Sequence, residues 1–415
     1  MSLIKNSFYN ILGFAIPTLV AIPALGILAR QLGVESFGIF TLAFAIVGYA
    51  SIFDGGITRA VIREISIFRE DQDEQKKIIS TASVSVFCLG LFASLLLILF
   101  ANNLVIYLKV SSSLILNAYL SFKILAFALP IYLLNQIWLA YLEGHERFAN
   151  LNIQRTISSI FLAVLPAIFC LIQPTLINAI WGLLIGRLIA LLITFFICKD
   201  FIISSGFKFY KKTFQRMLKF GGWLTLSNII SPIMVYFDRF VISNIMGASK
   251  VAYYSAPAEG VSRLVNIPYA LARALFPKLS YSIDASEKKK LEMQSYFLIA
   301  AICLPMVIVG ILCSKFIMVT WMGQNYGGDA AKVLSILLIG FFFNALAQIP
   351  YSVLQAHGKS KTTALVHAVE IIPYLLILFS FTYKFGVIGT AAAWSVRMSV
   401  DLILLFVLSR KICVE

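Results

Sequence analysis

Long apolar stretches, separated by short segments that carry most of the charged residues, are the dominant pattern of this chain. A transmembrane helix needs about 20 consecutive, mainly apolar residues. Twelve stretches meet this requirement, at residues 8–29, 36–60, 78–100, 117–141, 153–172, 177–198, 220–244, 251–275, 293–313, 332–354, 363–383 and 387–408. The pattern therefore predicts an all-α integral membrane protein with twelve transmembrane helices.

The second half of the sequence repeats the first half. The matched pairs, at shifts of 210 to 214 residues, include Gly33 with Gly247, Arg59 with Arg273, Gln136 with Gln348, and Arg187 with Arg397. Each half holds six predicted spans, an even number, so both halves enter the membrane from the same side. We therefore expect two six-helix lobes related by a pseudo-twofold axis along the membrane normal.

The predicted lobes are joined by a segment rich in lysine. We expect an N-terminal lobe at residues 1–200, a basic cytoplasmic linker at 201–219 and a C-terminal lobe at 220–415. Pro17 and Pro232 fall at nearly the same place in the two halves, and proline removes a backbone donor from a helix interior. Interrupted helices at corresponding places indicate a transport site, although a packing kink is an equally simple interpretation.

The positions of lysine and arginine predict the orientation. With the amino terminus inside, 21 basic residues fall in inner segments and five in outer ones. Positive charge concentrates on the cytoplasmic side of membrane proteins. We expect a multi-pass protein of the cell membrane, the inner membrane if the cell has two, with both termini in the cytoplasm.

Composition excludes several classes of protein. The 415 residues are 60% hydrophobic and 13% charged, against about 25% charged in soluble domains. The net charge of +15 lies in short loops, whereas nucleic-acid binding needs a basic patch on one exposed face. The six cysteines are scattered without a C-x-x-C pair, which predicts no metal site and no disulfide. We expect no cofactor.

Several basic residues lie at membrane depth. They are Arg59, Lys123, Arg187, Arg239, Arg263, Arg273 and Arg397. An ionised side chain at mid-bilayer costs about 2.5–3.5 kcal/mol, so it is retained where it meets water, a partner or a ligand. Arg59, Arg239 and Arg273 have no acid four residues away on the same helix face.

An arginine fork binds two phosphate oxygens at once. The sequence thus predicts a cationic, water-filled chamber that receives a diphosphate, with Arg59, Arg239, Arg263 and Arg273 in contact with the substrate. For Arg59 and Arg273, which lie near helix ends, the alternative is that the side chains extend to the inner headgroups.

Buried acids are the candidates for ion coupling. Asp238, Glu259 and Glu370 lie at membrane depth, where an apolar site disfavours the ionised carboxylate and suits a proton or sodium relay. Glu370 shares a helix face with His367, for which an interhelical hydrogen bond is the simpler interpretation. Two pairs spaced four residues apart, Glu259 with Arg263 and Arg397 with Asp401, also fit structural ion pairs.

The motifs of this chain resemble a known family. The segments GGWLTLSN, YFDRFVISNIMG, VAYYSAPAE and ALFPKLS, with LGVESFGIF and FDGGITRAVIREIS near the amino terminus, are similar to those of O-antigen-type polysaccharide flippases. That family belongs to an exporter superfamily that includes lipid II flippases and multidrug extruders. The resemblance implies that an undecaprenyl-diphosphate-linked oligosaccharide moves from the inner to the outer leaflet by alternating access.

The resemblance also implies partners and leaves alternatives open. A polysaccharide polymerase and a chain-length regulator are the expected protein partners, and no catalytic residue is expected. An ion-coupled multidrug or small-solute extruder of the same superfamily is the alternative, which would favour an apolar cavity with one or two acids. A membrane glycosyltransferase or polymerase is disfavoured because no outer loop is long enough for a catalytic segment.

Overall fold

The computed structural model describes residues 3–272, 285–357 and 359–414, and the regular elements in these ranges are helices. Arg273 lies outside the described residues. The helices run in this order: α1 Leu3–Tyr49, α2 Ile57–Ile67, α3 Gln72–Tyr107, α4 Ile115–Ala126, α5 Ala128–Gly144, α6 Phe148–Ile172, α7 Leu176–Ser205, α8 Lys211–Met246, α9 Ala248–Leu264, α10 Ala285–Leu312, α11 Ser314–Met322, α12 Asp329–Ala356 and α13 Ser360–Val414. Residues 266–272 are also helical, and a short 3-10 helix, Ala50–Asp54, lies between α1 and α2.

The predicted membrane character is confirmed. Within the described residues, eight helical stretches are long and apolar enough to cross a bilayer. Two glycines with non-helical backbone angles lie inside the longest helices, Gly33 in α1 (φ 74°, ψ 173°) and Gly386 in α13 (φ 62°, ψ −143°). Therefore α13 holds two of the predicted spans, and α1 holds one span and the first part of the next. The number twelve and the arrangement in two six-helix lobes stay predictions.

Two predicted spans are not continuous helices. The span 36–60 contains the 3-10 helix and then Gly55 and Gly56, both with positive φ (58° and 77°), a conformation that glycine adopts without steric cost. The span 117–141 is divided at Phe127, between α4 and α5. Pro17, by contrast, lies inside α1 without breaking it, because the non-helical residue of that helix is Gly33.

The chain forms two compact units. The first unit comprises Met1–Phe240 and Gly247–Ser249, and the second comprises Val241–Met246 and Lys250–Glu415. Gly247 has φ 93° and Gly33, its match in the repeat, has φ 74°, so both matched glycines adopt a backbone conformation that disfavours other residues. The predicted lobe and linker boundaries stay a prediction.

Small residues bring helices of the first unit close together. A Cβ at Gly182 of α7 would lie 2.6 Å from Pro166 Cα in α6, and a Cβ at Gly90 of α3 would lie 2.6 Å from Pro130 Cα in α5. Helix association in membranes depends on such close packing, because lipid is as apolar as the helix surface. In the second unit, a Cβ at Gly340 of α12 would lie 2.6 Å from Ser395 Oγ in α13.

Hydrogen bonds attach part of the predicted linker, residues 201–219, to α3. The Ser80 hydroxyl donates to the Lys208 carbonyl oxygen at 2.8 Å, and the Tyr210 amide donates to Thr81 Oγ1 at 3.1 Å. These bonds attach the residues before α8 to the amino-terminal part of α3. These hydrogen bonds could not be predicted from the sequence, because Ser80 and Thr81 are ordinary residues of a predicted apolar span.

An ion-pair network continues this attachment. Arg216, in the first turns of α8, donates through Nε to the buried carboxylate of Glu64 and through Nη2 to Glu74 Oε1 at 2.8 Å. The guanidinium also lies 4.7 Å from the centre of the Phe68 ring. Glu64 is 1% exposed and is contacted in addition by Arg63 at 3.3 Å. Arg216 therefore neutralises a carboxylate that is removed from water.

The loop after α5 is held by a neutral histidine. Gln75 donates through its side-chain amide to the Phe68 and Arg69 carbonyl oxygens at 2.8 and 2.9 Å. This leaves Gln75 Oε1 as an acceptor for His145 Nε2, 2.9 Å away. Burial, together with Arg147 and Arg69 nearby, lowers the pKa of His145 below its ordinary value. A neutral ring with a proton on Nε2 satisfies this bond.

We expect Gly182→Ala to destabilise the protein by about 1–3 kcal/mol, the usual cost of overpacking, because the new methyl would meet backbone atoms of α6. Gly186→Ala is the matched control, since its methyl would lie 3.3 Å from the Phe161 carbonyl oxygen and alanine favours helix by about 1 kcal/mol. Thermal unfolding in detergent measures both. Equal midpoints for the two variants would contradict the close α6–α7 contact.

We expect Arg216→Ala to destabilise the protein by about 1–3 kcal/mol. Breaking a fully buried pair costs about 3–5 kcal/mol, but the Arg216 side chain is 38% exposed and Arg63 remains near Glu64. Lys77→Ala, which removes a surface pair, should cost below about 1 kcal/mol. In a Glu64→Gln background the loss from Arg216→Ala should shrink, and an unchanged loss would show that the ion pair is not its cause.

Candidate functional site

A polar pocket of about 340 Å³ lies within the first unit. Its polar lining residues are Ser51, Asp54, Thr58, Arg59, Tyr132, Gln136, Glu143 and Arg155. The volume falls at the lower end of the range of small-molecule sites, about 300–1,000 Å³. The pocket includes Arg59, one of the four arginines that the sequence analysis assigned to the substrate.

One wall of the pocket is formed by the 3-10 helix and α2. Gly55 and Gly56 turn the chain between these elements, and Asp54 then caps α2 by accepting from the Thr58 amide at 3.0 Å and from the Thr58 hydroxyl at 3.0 Å. The cap satisfies backbone donors that a helix start leaves unpaired. It also fixes the direction of α2, on which Arg59 is exposed.

The opposite wall is one face of α5. Tyr132, Gln136 and Glu143 recur at intervals of four and seven residues, a spacing that places them on one side of an α-helix. Beneath this wall, the Arg187 guanidinium lies 4.9 Å from the centre of the Tyr132 ring, a cation–π contact. The stripe on α5 is a signal that the sequence analysis missed.

The charges around the pocket balance. Arg155 pairs with Glu143 at 3.1 Å, and Arg59 lies near the buried Asp54, so two cations and two carboxylates line the space. Among the described residues, Arg59 has no ion pair within 4.0 Å, and neither the Gln136 amide nor the Tyr132 hydroxyl has a hydrogen-bond partner. The pocket thus presents donors and acceptors to its interior without a net formal charge.

Arg239 and Asp238 lie elsewhere in the first unit and do not line this pocket. Both are 5% exposed, and Arg239 Nη1 donates to the Thr41 carbonyl oxygen at 3.4 Å. The Arg239 guanidinium lies 5.5 Å from the centre of the Tyr236 ring. Arg239 is therefore engaged by α1 and by its own helix, in contrast to the exposed Arg59.

Arg263 forms the ion pair that its spacing predicts. Arg263 Nη2 lies 4.0 Å from Glu259 Oε2, one turn away on α9. The two side chains are 31% and 16% exposed, so the pair is half-buried in the second unit.

The second unit contains a cluster of charged groups on α13. His367 Nδ1 lies 3.7 Å from Glu370 Oε2 and 3.5 Å from Asp401 Oδ1, and Arg397 Nε lies 3.9 Å from Glu370 Oε2. The Arg397 guanidinium lies 5.1 Å from the centre of the Tyr374 ring. A ring nitrogen of His367 and carboxylate oxygens of Glu370 and Asp401 lie within 4.8 Å of one another. The pair of His367 and Glu370 that the sequence indicates thus also includes Asp401, which lies in the following predicted span.

The position in the first unit that matches Glu370 holds no carboxylate. Glu370 corresponds to Ser158 at a shift of 212 residues. Gln154 Nε2 donates to Ser158 Oγ at 2.9 Å and to Thr194 Oγ1 at 2.7 Å, and Thr194 donates to Asn135 Oδ1 at 2.6 Å. Uncharged side chains therefore occupy the position where the second unit has carboxylates.

Comparison with known proteins supplies the family context. A family model described as polysaccharide biosynthesis protein matches residues 3–283. The chain is 50% identical over 413 residues to a Shigella flexneri protein named as an O-antigen transporter, with 100% of this chain and 99% of the relative covered. It is 22% identical over 311 residues to a Yersinia pseudotuberculosis protein named as an O-antigen export protein, covering 70% and 67% of the two chains.

Solved structures share the fold. The lipid II flippase MurJ in an inward closed conformation matches with a TM-score of 0.80 and 18% identity, covering 97% of this chain and 87% of that chain. An inward-facing multidrug resistance MATE family transporter of the MOP superfamily matches with a TM-score of 0.79 and 16% identity, covering 97% and 98%. The chain therefore shares the fold of these two transporters.

Proposed function

The chain belongs to the polysaccharide biosynthesis protein family, and from that membership we propose that it flips an undecaprenyl-diphosphate-linked oligosaccharide, an O-antigen or similar repeat unit, from the cytoplasmic to the outer leaflet. The observation that carries the proposal is the 50% identity, end to end, to a protein named as an O-antigen transporter. The fold shared with a lipid II flippase supports it, because lipid II flipping poses the same physical problem.

The problem is to move a polar head across hydrocarbon. A head that bears sugars and two phosphates cannot cross about 30 Å of hydrocarbon unaided. The protein offers it a polar route while the lipid tail stays in the bilayer. Alternating access between six-helix lobes, with cytoplasmic termini in the cell membrane, is the proposed mechanism, and a polysaccharide polymerase and a chain-length regulator are the proposed partners.

We propose that arginines bind the diphosphate. The proposed contacts are Arg59, Arg239, Arg263 and Arg273. Arg59 is the strongest candidate among the described ones, since it is exposed at a pocket and has no ion pair there within 4.0 Å to a described residue. Arg239 and Arg263 are already engaged by Thr41 and Glu259, so phosphate would have to compete with those contacts.

We also propose that an ion gradient drives the cycle. Binding energy alone gives transport no direction, so an external free-energy source is required. Asp238, Glu259 and Glu370 are the proposed coupling residues, and the cluster of Glu370 with His367, Asp401 and Arg397 supports Glu370 in particular. A proton or a sodium ion suits a buried group of carboxylates and an imidazole.

We expect Arg59→Ala to slow flipping about tenfold or more, because a hydrogen bond to a charged group contributes about 1.5–3 kcal/mol. Arg59→Lys should slow flipping less, because lysine keeps the positive charge although it lacks the two-pronged guanidinium. Flipping is measured with defined diphosphate-linked glycans in proteoliposomes. Arg63→Ala, one turn along α2 and outside the pocket lining, is the matched control. Wild-type liposomes that leave the lipid in its original leaflet would refute the flippase assignment.

We expect Glu370→Gln to abolish the response of flipping to an imposed gradient. The amide keeps the shape of the side chain but neither titrates nor attracts a cation. Rates are compared with and without a proton gradient and with and without a sodium gradient, which also identifies the ion. A Glu370→Gln protein that still accelerates under the same gradient as the wild type would exclude Glu370 from coupling.

A further inference from the structure

We infer that the pocket between α2 and α5 binds a sugar ring of the lipid-linked substrate, an inference that rests on the proposed function. A hydroxyl group is one donor and two acceptors, so a sugar needs both kinds of partner at short intervals. The pocket supplies donors through Arg59 and Arg155 and acceptors through Asp54 and Glu143. The Gln136 amide supplies both.

The balance of charge distinguishes a sugar from the other ligands of this substrate class. A phosphate would select a site with an excess of cations, but the two arginines of the pocket are matched by two carboxylates. An apolar drug would select a mainly hydrophobic lining, whereas eight of the twelve lining residues are polar or charged, tyrosine included. A neutral polyol is the ligand that uses this lining without leaving a charge unpaired.

Two polar groups of the pocket lining are available to bind such a ligand. Among the described residues, the Tyr132 hydroxyl and the Gln136 amide have no hydrogen-bond partner, and they lie one helical turn apart on α5. Both side chains are half-buried, so a ligand that enters the pocket can complete their hydrogen bonds. The Tyr132 ring is fixed from behind by Arg187, which holds its hydroxyl in position for a ligand.

The size and the exposure of the lining residues suggest how the head is placed. About 340 Å³ is near the minimum for a small-molecule site, which fits one end of an oligosaccharide and not its full length. Arg59 is exposed while Asp54 is 6% exposed. The diphosphate then lies outside the pocket, on the exposed side of Arg59, and the sugar next to it lies inside the pocket against Asp54 and Gln136.

The test compares two lipids in proteoliposomes that contain the purified full-length protein: undecaprenyl diphosphate bearing one hexose, and undecaprenyl diphosphate without sugar. We expect the wild type to flip the hexose-bearing lipid faster. Gln136→Leu should slow that lipid about fivefold to tenfold, the effect of a lost hydrogen bond to a ligand, and leave the sugar-free lipid unchanged. Gln348→Leu, its match in the repeat, should leave both rates unchanged.

Tyr132→Phe is a second variant that removes only a hydroxyl, so it tests the pocket even if Gln136→Leu fails to fold. It should slow the hexose-bearing lipid selectively. If Gln136→Leu or Tyr132→Phe slows both lipids equally, or neither lipid, the pocket is not a sugar site. A wild type that flips both lipids at one rate overturns this inference alone, whereas a wild type that flips neither overturns the proposed function as well.

Discussion

A charged group at membrane depth that is removed from water needs a partner in place of the water, and this constraint organises the described part of the structure. Arg187 lies against Tyr132, Arg239 against Tyr236 and the Thr41 carbonyl, and Arg397 against Tyr374 and Glu370. Aromatic faces, backbone oxygens and carboxylates thus replace the water that these cations lose. The exposed Arg59 is the contrasting case, since open space lies beside it.

The constraint on charge works together with a constraint on packing. Close helix contacts at Gly90, Gly182 and Gly340 allow van der Waals contact to stabilise the units where the hydrophobic effect contributes little between helices. Positive φ at Gly386 lets one long helical stretch hold two spans. The helices that line the polar pocket, α2 and α5, also pack against each other, since a Cβ at Gly144 would lie 2.8 Å from Ile65 Cβ.

The features that the sequence predicted are those that depend on the spacing of residues along one helix. Apolar run lengths gave the membrane helices, and the pair of Glu259 with Arg263 followed from four-residue spacing and is present at 4.0 Å. Contacts between different helices could not be predicted from the sequence. Arg216 contacts Glu64 across 152 positions, and the carboxylate 3.9 Å from Arg397 Nε is that of Glu370, whereas the four-residue spacing predicts Asp401. Such contacts are decided by how far each helix is rotated and shifted, which hydropathy does not record. The spacing that places Tyr132 and Gln136 on one helix face can be recognised in the sequence. The sequence does not indicate that this face lies toward α2.

The two copies of the repeat differ chemically at one matched position, Ser158 in the first half and Glu370 in the second. The first copy secures this position with hydroxyls and amides whose protonation does not change near neutral pH, while the second copy holds a carboxylate close to a histidine and another carboxylate. A chain assembled from two copies of the first half would conserve the helices yet would carry a serine in place of the Glu370 carboxylate in both copies. Duplication has therefore produced halves that are no longer interchangeable.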